Sequence, residues 1–260
     1  MTRQKLGQHF LANPGWRNKI FDTLDVTPAD TWVEIGAGHG EMTEPLARSA
    51  ARVLAIETDA SLAASLRTKT ASWGNVEILE ADVLRVDFAR LPGGKFRVYG
   101  NLPYYITSPI LRRLFDAAGR IASIHIVIQH EVAARIAARP ARRDYGYLSV
   151  LCQFFATPKI IFKIPPGAFR PPPRVTSALV QMTLPGEGAS LRVADPARFM
   201  DFVSRCFGQK RKTLWNNLRG LVPEEKFRAA LRSCGLRSDS RAEQLSLTQF
   251  AALFRAISAD

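Results

Sequence analysis

Several short stretches carry side chains whose types and spacing suit chemistry. In VEIGAGHGE (residues 33–41), Gly36, Gly38 and Gly40 fall where an apolar run gives way to a helical pattern. A ligand can approach a backbone there without meeting Cβ atoms. The dinucleotide fingerprint wants a further glycine at the position filled by Glu41, and a carboxylate beside a helix N-terminus repels a pyrophosphate. The spacing therefore favours a cofactor without phosphates, and S-adenosylmethionine is such a molecule. Glu57 closes the next apolar run, VLAIE, where a carboxylate can accept both hydrogen bonds of a ribose diol. Asp82, in LEADV after the third run, can accept from an adenine amino group, although aspartate is also a common helix cap.

The stretch VYGNLPYYITSP (98–109) supplies the reactive surface. A purine's exocyclic amine is a weak nucleophile because its lone pair is delocalised into the ring. Two acceptors on its protons, the Asn101 side-chain oxygen and a carbonyl of Leu102 or Pro103, would draw the nitrogen toward tetrahedral geometry. Pro103 stiffens the turn and has no N–H to compete. Tyr104 offers a π-face for a flipped-out base, a contact worth about 1–3 kcal/mol. Tyr105 is expected to pack in the core. No strong general base is required, since an alkylated amine loses its proton readily; catalysis would be mainly proximity and orientation.

Positioning these groups takes alternating elements. TWVEI (31–35), RVLAIE (52–57), VEILE (76–80), FRVYGN (96–101) and IHIVIQ (124–129) read as strands separated by helical spacing such as DASLAASLRTK. That pattern predicts right-handed βαβ units and a mostly parallel sheet, with ligands at the carboxyl ends of the strands. PKIIFKI and SALVQMTL predict two more strands around PPGAFRPPPR. Beyond GEGAS the spacing is helical only, so residues 1–186 are expected to form an α/β catalytic domain and 187–260 a small helical RNA-binding domain packed on it.

The 260 residues are 47% hydrophobic, and 36 Lys and Arg against 23 Asp and Glu give a net charge of +13. That excess favours a polyanionic partner, nucleic acid before membrane. GQKRKTLWNNLRG gathers Lys210, Arg211, Lys212 and Arg219 without an acid, and RPARR adds Arg139, Arg142 and Arg143, both suited to an A-form backbone. Leu214 and Trp215 suggest that one side of the first run packs while the other projects. The three cysteines and four histidines have no metal-ligand or disulfide spacing, and no signal peptide or membrane-length apolar run is present, so a cytoplasmic protein without metal is expected.

Taken together, KLGQHFL (5–11), VEIGAGHG, AIETD, EADV, GNLPYYITSP, IQHEVAARIAARP, DYGYLSV, PPGAFRPPPRVTSA and FGQKRKTLWNNL, in this order along nearly the whole chain, resemble the KsgA-type ribosomal RNA adenine dimethyltransferases. These are relatives of the erythromycin-resistance RNA methyltransferases within the class I S-adenosylmethionine-dependent (Rossmann-like) fold. The resemblance implies cofactor contacts from His9, Leu11, Gly36, Glu57, Asp82 and Asn101. It implies a catalytic pocket of Asn101, Leu102, Pro103 and Tyr104, with Phe169 holding the base from its other side. It also implies transfer of two methyl groups to the 6-amino group of each of two adjacent adenines, in the 3′-terminal helix loop of small-subunit (16S) rRNA. The implied partner is an immature small ribosomal subunit met by a monomer, with a role in subunit biogenesis. His9 stands where many members have Asn, and His130 where many have Lys. An adenine methyltransferase acting on DNA, or a non-catalytic assembly or transcription factor on the same fold, are the alternatives; intact Glu57, Asp82, Asn101 and Tyr104 argue against the second.

Overall fold

A computed structural model of the protein describes residues 9–209 and 211–258. After a two-residue strand β1 (Phe10–Leu11) and helix α1 (Pro14–Leu24), strands and helices alternate. They are β2 (Thr31–Ile35), α2 (Thr43–Ser49), β3 (Arg52–Glu57), α3 (Ala60–Thr70), β4 (Val76–Glu80), β5 (Phe96–Asn101), α4 (Thr107–Phe115), β6 (Ile121–Gln129) and α5 (His130–Ile136). Helix α6 (Tyr147–Phe155), strands β7 (Thr157–Ile164), β8 (Phe169–Arg170) and β9 (Ser177–Thr183), and helices α7 (Pro196–Cys206), α8 (Leu214–Leu218), α9 (Glu224–Ser233) and α10 (Leu247–Ser258) follow. Local signals start the helices: Asn13 caps α1 ahead of Pro14, and Asp59 accepts from the Ser61 and Leu62 amides at the head of α3.

Seven strands form one sheet in the order β4-β3-β2-β5-β6-β9-β7. The pairs β4-β3, β3-β2, β2-β5 and β5-β6 are parallel, and β9 runs antiparallel to β6. From β2 the chain winds outward to β3 and β4, then returns to the other side of β2 with β5, so β2 and β5 flank a topological switch point. The register keeps the strand ends level: Ile35 pairs with Ile56 and Gly100, and Glu57 with Glu80. Four consecutive strand ends thus deliver Gly36, Glu57, Asp82 and Asn101 to one edge of the sheet.

At the opposite edge, Arg97 ties the start of β5 to the loop after α1. Its guanidinium donates to the Leu24 and Asp25 carbonyls at 2.6 and 2.7 Å and to the Asp30 carboxylate at 2.9 Å, and it lies 4.6 Å from the Trp32 ring centre. Two of the buried titratable groups in the sheet are strongly shifted toward their neutral forms near neutral pH. His125 of β6 is fully enclosed; burial and the nearby Arg97 charge lower its pKa to about 4. Neither ring nitrogen has a hydrogen-bond partner among the described residues. Glu34 of β2 accepts from the Thr43 hydroxyl at 2.6 Å, and burial raises its pKa to about 8, with the Glu41 and Glu57 charges adding to the rise.

The chain divides into two compact units, one running to Ala133 with Lys159–Leu184 added, the other joining Ala134–Pro158 to everything from Pro185 onward. This differs from the expected division at residue 186, because the segment 134–158 groups with the C-terminal helices. The Tyr145 hydroxyl donates to the Leu245 carbonyl at 2.9 Å and the Ala141 amide to the Glu243 carbonyl at 2.7 Å. Phe154 of α6 packs on Phe199 with ring centres 5.1 Å apart, and Phe199 meets Phe254 at 5.5 Å. Gly188 lets the chain pass over α6, since a Cβ there would lie 2.5 Å from the Phe154 carbonyl oxygen. Four short helices alone are a thin core; the apolar α6, YLSVLCQFF, completes it. Among the described residues no helix is long and apolar enough to cross a membrane.

Glu34 and His125 oppose each other in their effect on stability. Glu34 is neutral in the fold to about pH 8 but ionises near 4.5 when unfolded, so its contribution is complete below 4.5 and falls as pH rises. His125 stays neutral in the fold to about pH 4 but protonates near 6.5 when unfolded, so its contribution is complete above 6.5 and falls as pH drops. Between 4.5 and 6.5 each slope approaches about 1.4 kcal/mol per pH unit, with opposite sign. Urea unfolding across this window should therefore show His125→Leu gaining stability on acidification relative to wild type, and Glu34→Gln losing it. Parallel profiles for all three proteins would refute the assignment.

Candidate active site

The glycine turn is built around one carboxylate. The Gly36 amide donates to the Ile56 carbonyl at 2.8 Å, carrying the chain from β2 toward the end of β3. There Glu57, only 4% exposed, accepts from the Gly38 amide through Oε2 and from the Asp59 amide through Oε1, both at 2.9 Å. Gly38 is left-handed (φ +57°), and a Cβ on it would come within 3.1 Å of the Phe10 ring. A carboxylate has about four lone-pair positions, so two remain on Glu57 for a diol. Asp82 follows β4 and caps a short 3-10 turn, Oδ1 accepting from the Leu84 amide at 2.9 Å. The capping role is thus real, and Oδ2 is left as the acceptor for a ligand.

At the end of β5 the polar groups are unequally committed. Asn101 donates through Nδ2 to the His9 carbonyl at 2.8 Å, which fixes Oδ1 as the amide's acceptor side. The Pro103 carbonyl accepts from the Ile106 amide at 3.2 Å and the Thr107 hydroxyl at 3.5 Å. Leu102, buried, donates its amide to the Val127 carbonyl at 3.1 Å, while its own carbonyl receives no hydrogen bond from the described residues. Of the two carbonyls the sequence leaves open, that of Leu102 is thus the one with free acceptor capacity among the described residues. The Tyr104 hydroxyl lies 2.8 Å from Ser177 Oγ, and its ring is stacked on His9 with centres 5.7 Å apart. Partial burial raises the Tyr104 pKa against the opposing Ser177 hydrogen bond, so the phenol stays protonated.

The N-terminal segment closes over this edge. β1 pairs antiparallel with β8, setting Leu11 opposite Phe169 and Phe10 opposite Arg170. The Ala12 and Asn13 amides both donate to the Ala168 carbonyl, and His9 Nδ1 lies 2.7 Å from the Pro171 carbonyl oxygen. Two expectations change as a result. Phe169, expected to present a ring to the base, is fully enclosed in the core cluster that also holds Leu11, because the β1-β8 pair lays the strap over it. Tyr105, expected in the core, is 70% exposed: its neighbour Tyr104 takes the inward position on Ser177, and the next residue of a tight turn points the other way.

Sequence reading missed Ser177, Phe10 with His39 (ring centres 4.9 Å apart), and the Glu34–Thr43 pair. A two-residue strand leaves no alternation to detect, and nothing in the order of residues announces that Ser177 will meet Tyr104.

The basic residues named from sequence belong to the second unit. Arg142, Arg143, Arg211, Lys212 and Arg219 are all exposed, while Lys210 lies outside the described residues. Leu214 is buried and Trp215 is half-buried against Phe227, with ring centres 5.4 Å apart, so the basic run is anchored on one side. The helix there is shorter than its spacing predicts: α8 starts only at Leu214, capped by Thr213, because Arg211 takes a left-handed turn (φ +71°).

Comparison with known proteins agrees with this architecture. Over 258 residues the chain is 46% identical to the ribosomal RNA small subunit methyltransferase A of Acidobacterium capsulatum, covering 98% of this chain and 91% of the other. It is 41% identical over 258 residues to the protein of that name from Xylella fastidiosa, covering 98% and 96%. It shares its fold with the crystal structure of a dimethyladenosine transferase from Plasmodium falciparum: TM-score 0.78, 23% identity, 94% and 96% of the two chains. The 23S rRNA methyltransferase ErmE superposes with TM-score 0.68 at 27% identity, covering 96% and 100%. The model of the ribosomal RNA adenine dimethylase family matches residues 1–259. With that match and relatives at these identities, the chain belongs to the ribosomal RNA adenine dimethylase family.

Proposed function

We propose that the protein transfers methyl groups from S-adenosylmethionine to the 6-amino group of adenine in RNA, two per amine. The substrate is two adjacent adenines in the loop of the terminal helix of small-subunit rRNA. It acts as a monomer on an immature small subunit in the cytoplasm. The observation that carries the chemistry is the pair of acceptors at the end of β5: Asn101 Oδ1 and the Leu102 carbonyl, left over when Nδ2 and the Pro103 carbonyl bond within the protein.

The donor set fits the cofactor. Glu57 would accept from the ribose diol and Asp82 from the adenine amine, beside the glycine turn and His9, while Leu11, expected among the cofactor contacts, is buried in the core cluster with Phe169. When bound there, S-adenosylmethionine supplies an already activated methyl. The protein's part is to prepare the amine. Asn101 Oδ1 and the Leu102 carbonyl each take one N–H, localising the lone pair, while Tyr104, neutral and held by Ser177, gives the base a face to stack on. No residue is needed as a strong base, because the alkylated amine releases its proton to water. After one transfer a single N–H remains, and the amine must turn to present its lone pair again.

Binding belongs to the second unit, which carries 17 Lys and Arg against 9 Asp and Glu. Arg142, Arg143, Lys210, Lys212, Arg211 and Arg219 meet the phosphate backbone, contacts that fix position more than sequence.

Labelled methyl transfer to small subunits lacking the modification, with duplex DNA in parallel and nucleoside analysis of the products, tests the reading. Dimethyladenosine in the RNA is expected; label in the DNA alone would overturn the substrate. Asn101→Ala should lower kcat by about 10²–10³, the scale of losing one preorganised polar contact to a reacting group, with subunit affinity within about twofold. Equal loss of both would show that Asn101 holds the fold rather than the amine. Replacing Lys212 and Arg219 with Ala should weaken binding at low salt and flatten the salt dependence by roughly 0.7–1 per cation removed; an unchanged slope would place the RNA elsewhere.

A further inference from the structure

Among the described residues only three large apolar side chains are exposed: Tyr105 at 70%, Val175 at 45% and Leu221 at 52%. Scattered apolar side chains at a surface are ordinary. Two of these three, however, flank a single hydrogen bond. Tyr105 follows Tyr104, and Val175 stands two residues before Ser177, the partner of the Tyr104 hydroxyl at 2.8 Å. That bond fastens the turn after β5 to the start of β9, so both exposed side chains are carried by segments pinned at the reactive face.

We propose that Tyr105, with Val175 beside the same junction, is a stacking platform for the nucleotide next to the target adenine. The inference rests on the reading of the protein as an RNA adenine methyltransferase. Taking a base out of a stacked loop exposes a face of its neighbour, and that lost stacking is the main energy needed for extrusion. A ring already held at the surface offsets the loss without reorganising. Tyr105 meets that requirement. Its backbone is fixed between Pro103, whose carbonyl accepts from Ile106 at 3.2 Å, and the start of α4 at Thr107. The ring has two χ angles to freeze and faces solvent. Exposed Arg170, at the end of β8, and exposed Arg174, in the loop leading to Val175, place positive charge in the same segment for the adjoining phosphates. Tyr104 thus serves the base that leaves the stack, and Tyr105 the base that stays.

Steady-state methyl transfer to small subunits lacking the modification, with Tyr105→Ala, Tyr105→Leu and Tyr105→Phe, tests this. Melting temperature and cofactor affinity are followed in each variant, and neither should move because the ring is exposed. Ala and Leu should lower kcat/KM by roughly 5- to 100-fold, the range of one base–ring stacking contact. Phe, which keeps the ring, should stay within about twofold of wild type. Wild-type kcat/KM in the Ala variant would overturn the proposal. So would a Phe variant as poor as Ala, which would assign the effect to the hydroxyl, or a Leu variant as good as Phe, which would reduce the ring to apolar bulk. Wild-type protein that methylates no RNA would refute the underlying reading as well, an outcome distinct from active wild type with indifferent variants.

Discussion

The hydrogen bond from Asn101 Nδ2 to the His9 carbonyl is the constraint on which the active edge depends. It decides which way the amide faces, and therefore whether β5 ends in an acceptor or a donor. It also explains the residue type. An aspartate would bring two acceptors but no donor for the His9 carbonyl, and a charge that the target amine does not need. From His9 the same strap continues into the β1-β8 pair, the two amides on the Ala168 carbonyl, and the Asn13 cap of α1. Strap, reactive turn and first helix are one hydrogen-bonded run, so the geometry at Asn101 is supported well beyond its own turn.

A second constraint is electrostatic. Glu34, Glu41 and Glu57 are close enough for each charge to influence Glu34, and full ionisation of neighbouring buried carboxylates would be costly. Burial resolves the conflict by keeping Glu34 neutral to about pH 8 on the Thr43 hydroxyl, while Glu57 is provided with two backbone N–H groups. On the proposed function, Glu57 keeps its remaining lone pairs for the ribose diol. In the glycine turn the Gly36 and Ala37 amides bond the Ile56 carbonyl, the Gly38 amide the Glu57 carboxylate and the Gly40 amide the Ala37 carbonyl, so none of these four is offered to a phosphate, which suits a phosphate-free cofactor.

The sheet was almost fully legible in the sequence. The runs 31–35, 52–57, 76–80 and 96–101 coincide with β2, β3, β4 and β5: the inner three are apolar over most of their length because both faces are covered, the edge strand β4 alternates Val76, Ile78 with Glu77, and the intervening helices break the pattern cleanly. The site residues at strand ends followed from the same logic, since position along a strand fixes position at the edge. What stayed hidden depends on pairing across the chain. Ser177 reaches Tyr104 from 73 residues away, and the strap that encloses Phe169 spans the whole first unit in sequence. Tyr105 was misplaced because aromatic character predicts burial on average, whereas a turn between two fixed neighbours has room for only one inward ring. The compact units divide elsewhere for a related reason: α6 is as apolar as a sheet-covering helix, and the Phe154–Phe199 contact, with the Tyr145 and Ala141 hydrogen bonds just before the helix, shows which core it serves.

The division of labour follows from how each task uses energy. Methyl transfer needs neutral acceptors held to a fraction of an ångström, which is easiest at the ends of rigid parallel strands. Grip on a phosphate backbone needs many cations and little precision. The basic run is accordingly placed where regular structure gives out, between the end of α7 and the short α8, with a left-handed Arg211 that a longer helix would not tolerate. Leu214 and Trp215 anchor that irregular segment on the helical core, so its cations are presented by packing instead of by a continuous helix face. On the proposed function, such a surface follows the shape of an RNA without reading its sequence, and base choice is left to the turn that begins at Asn101, held by the Nδ2 bond to the His9 carbonyl.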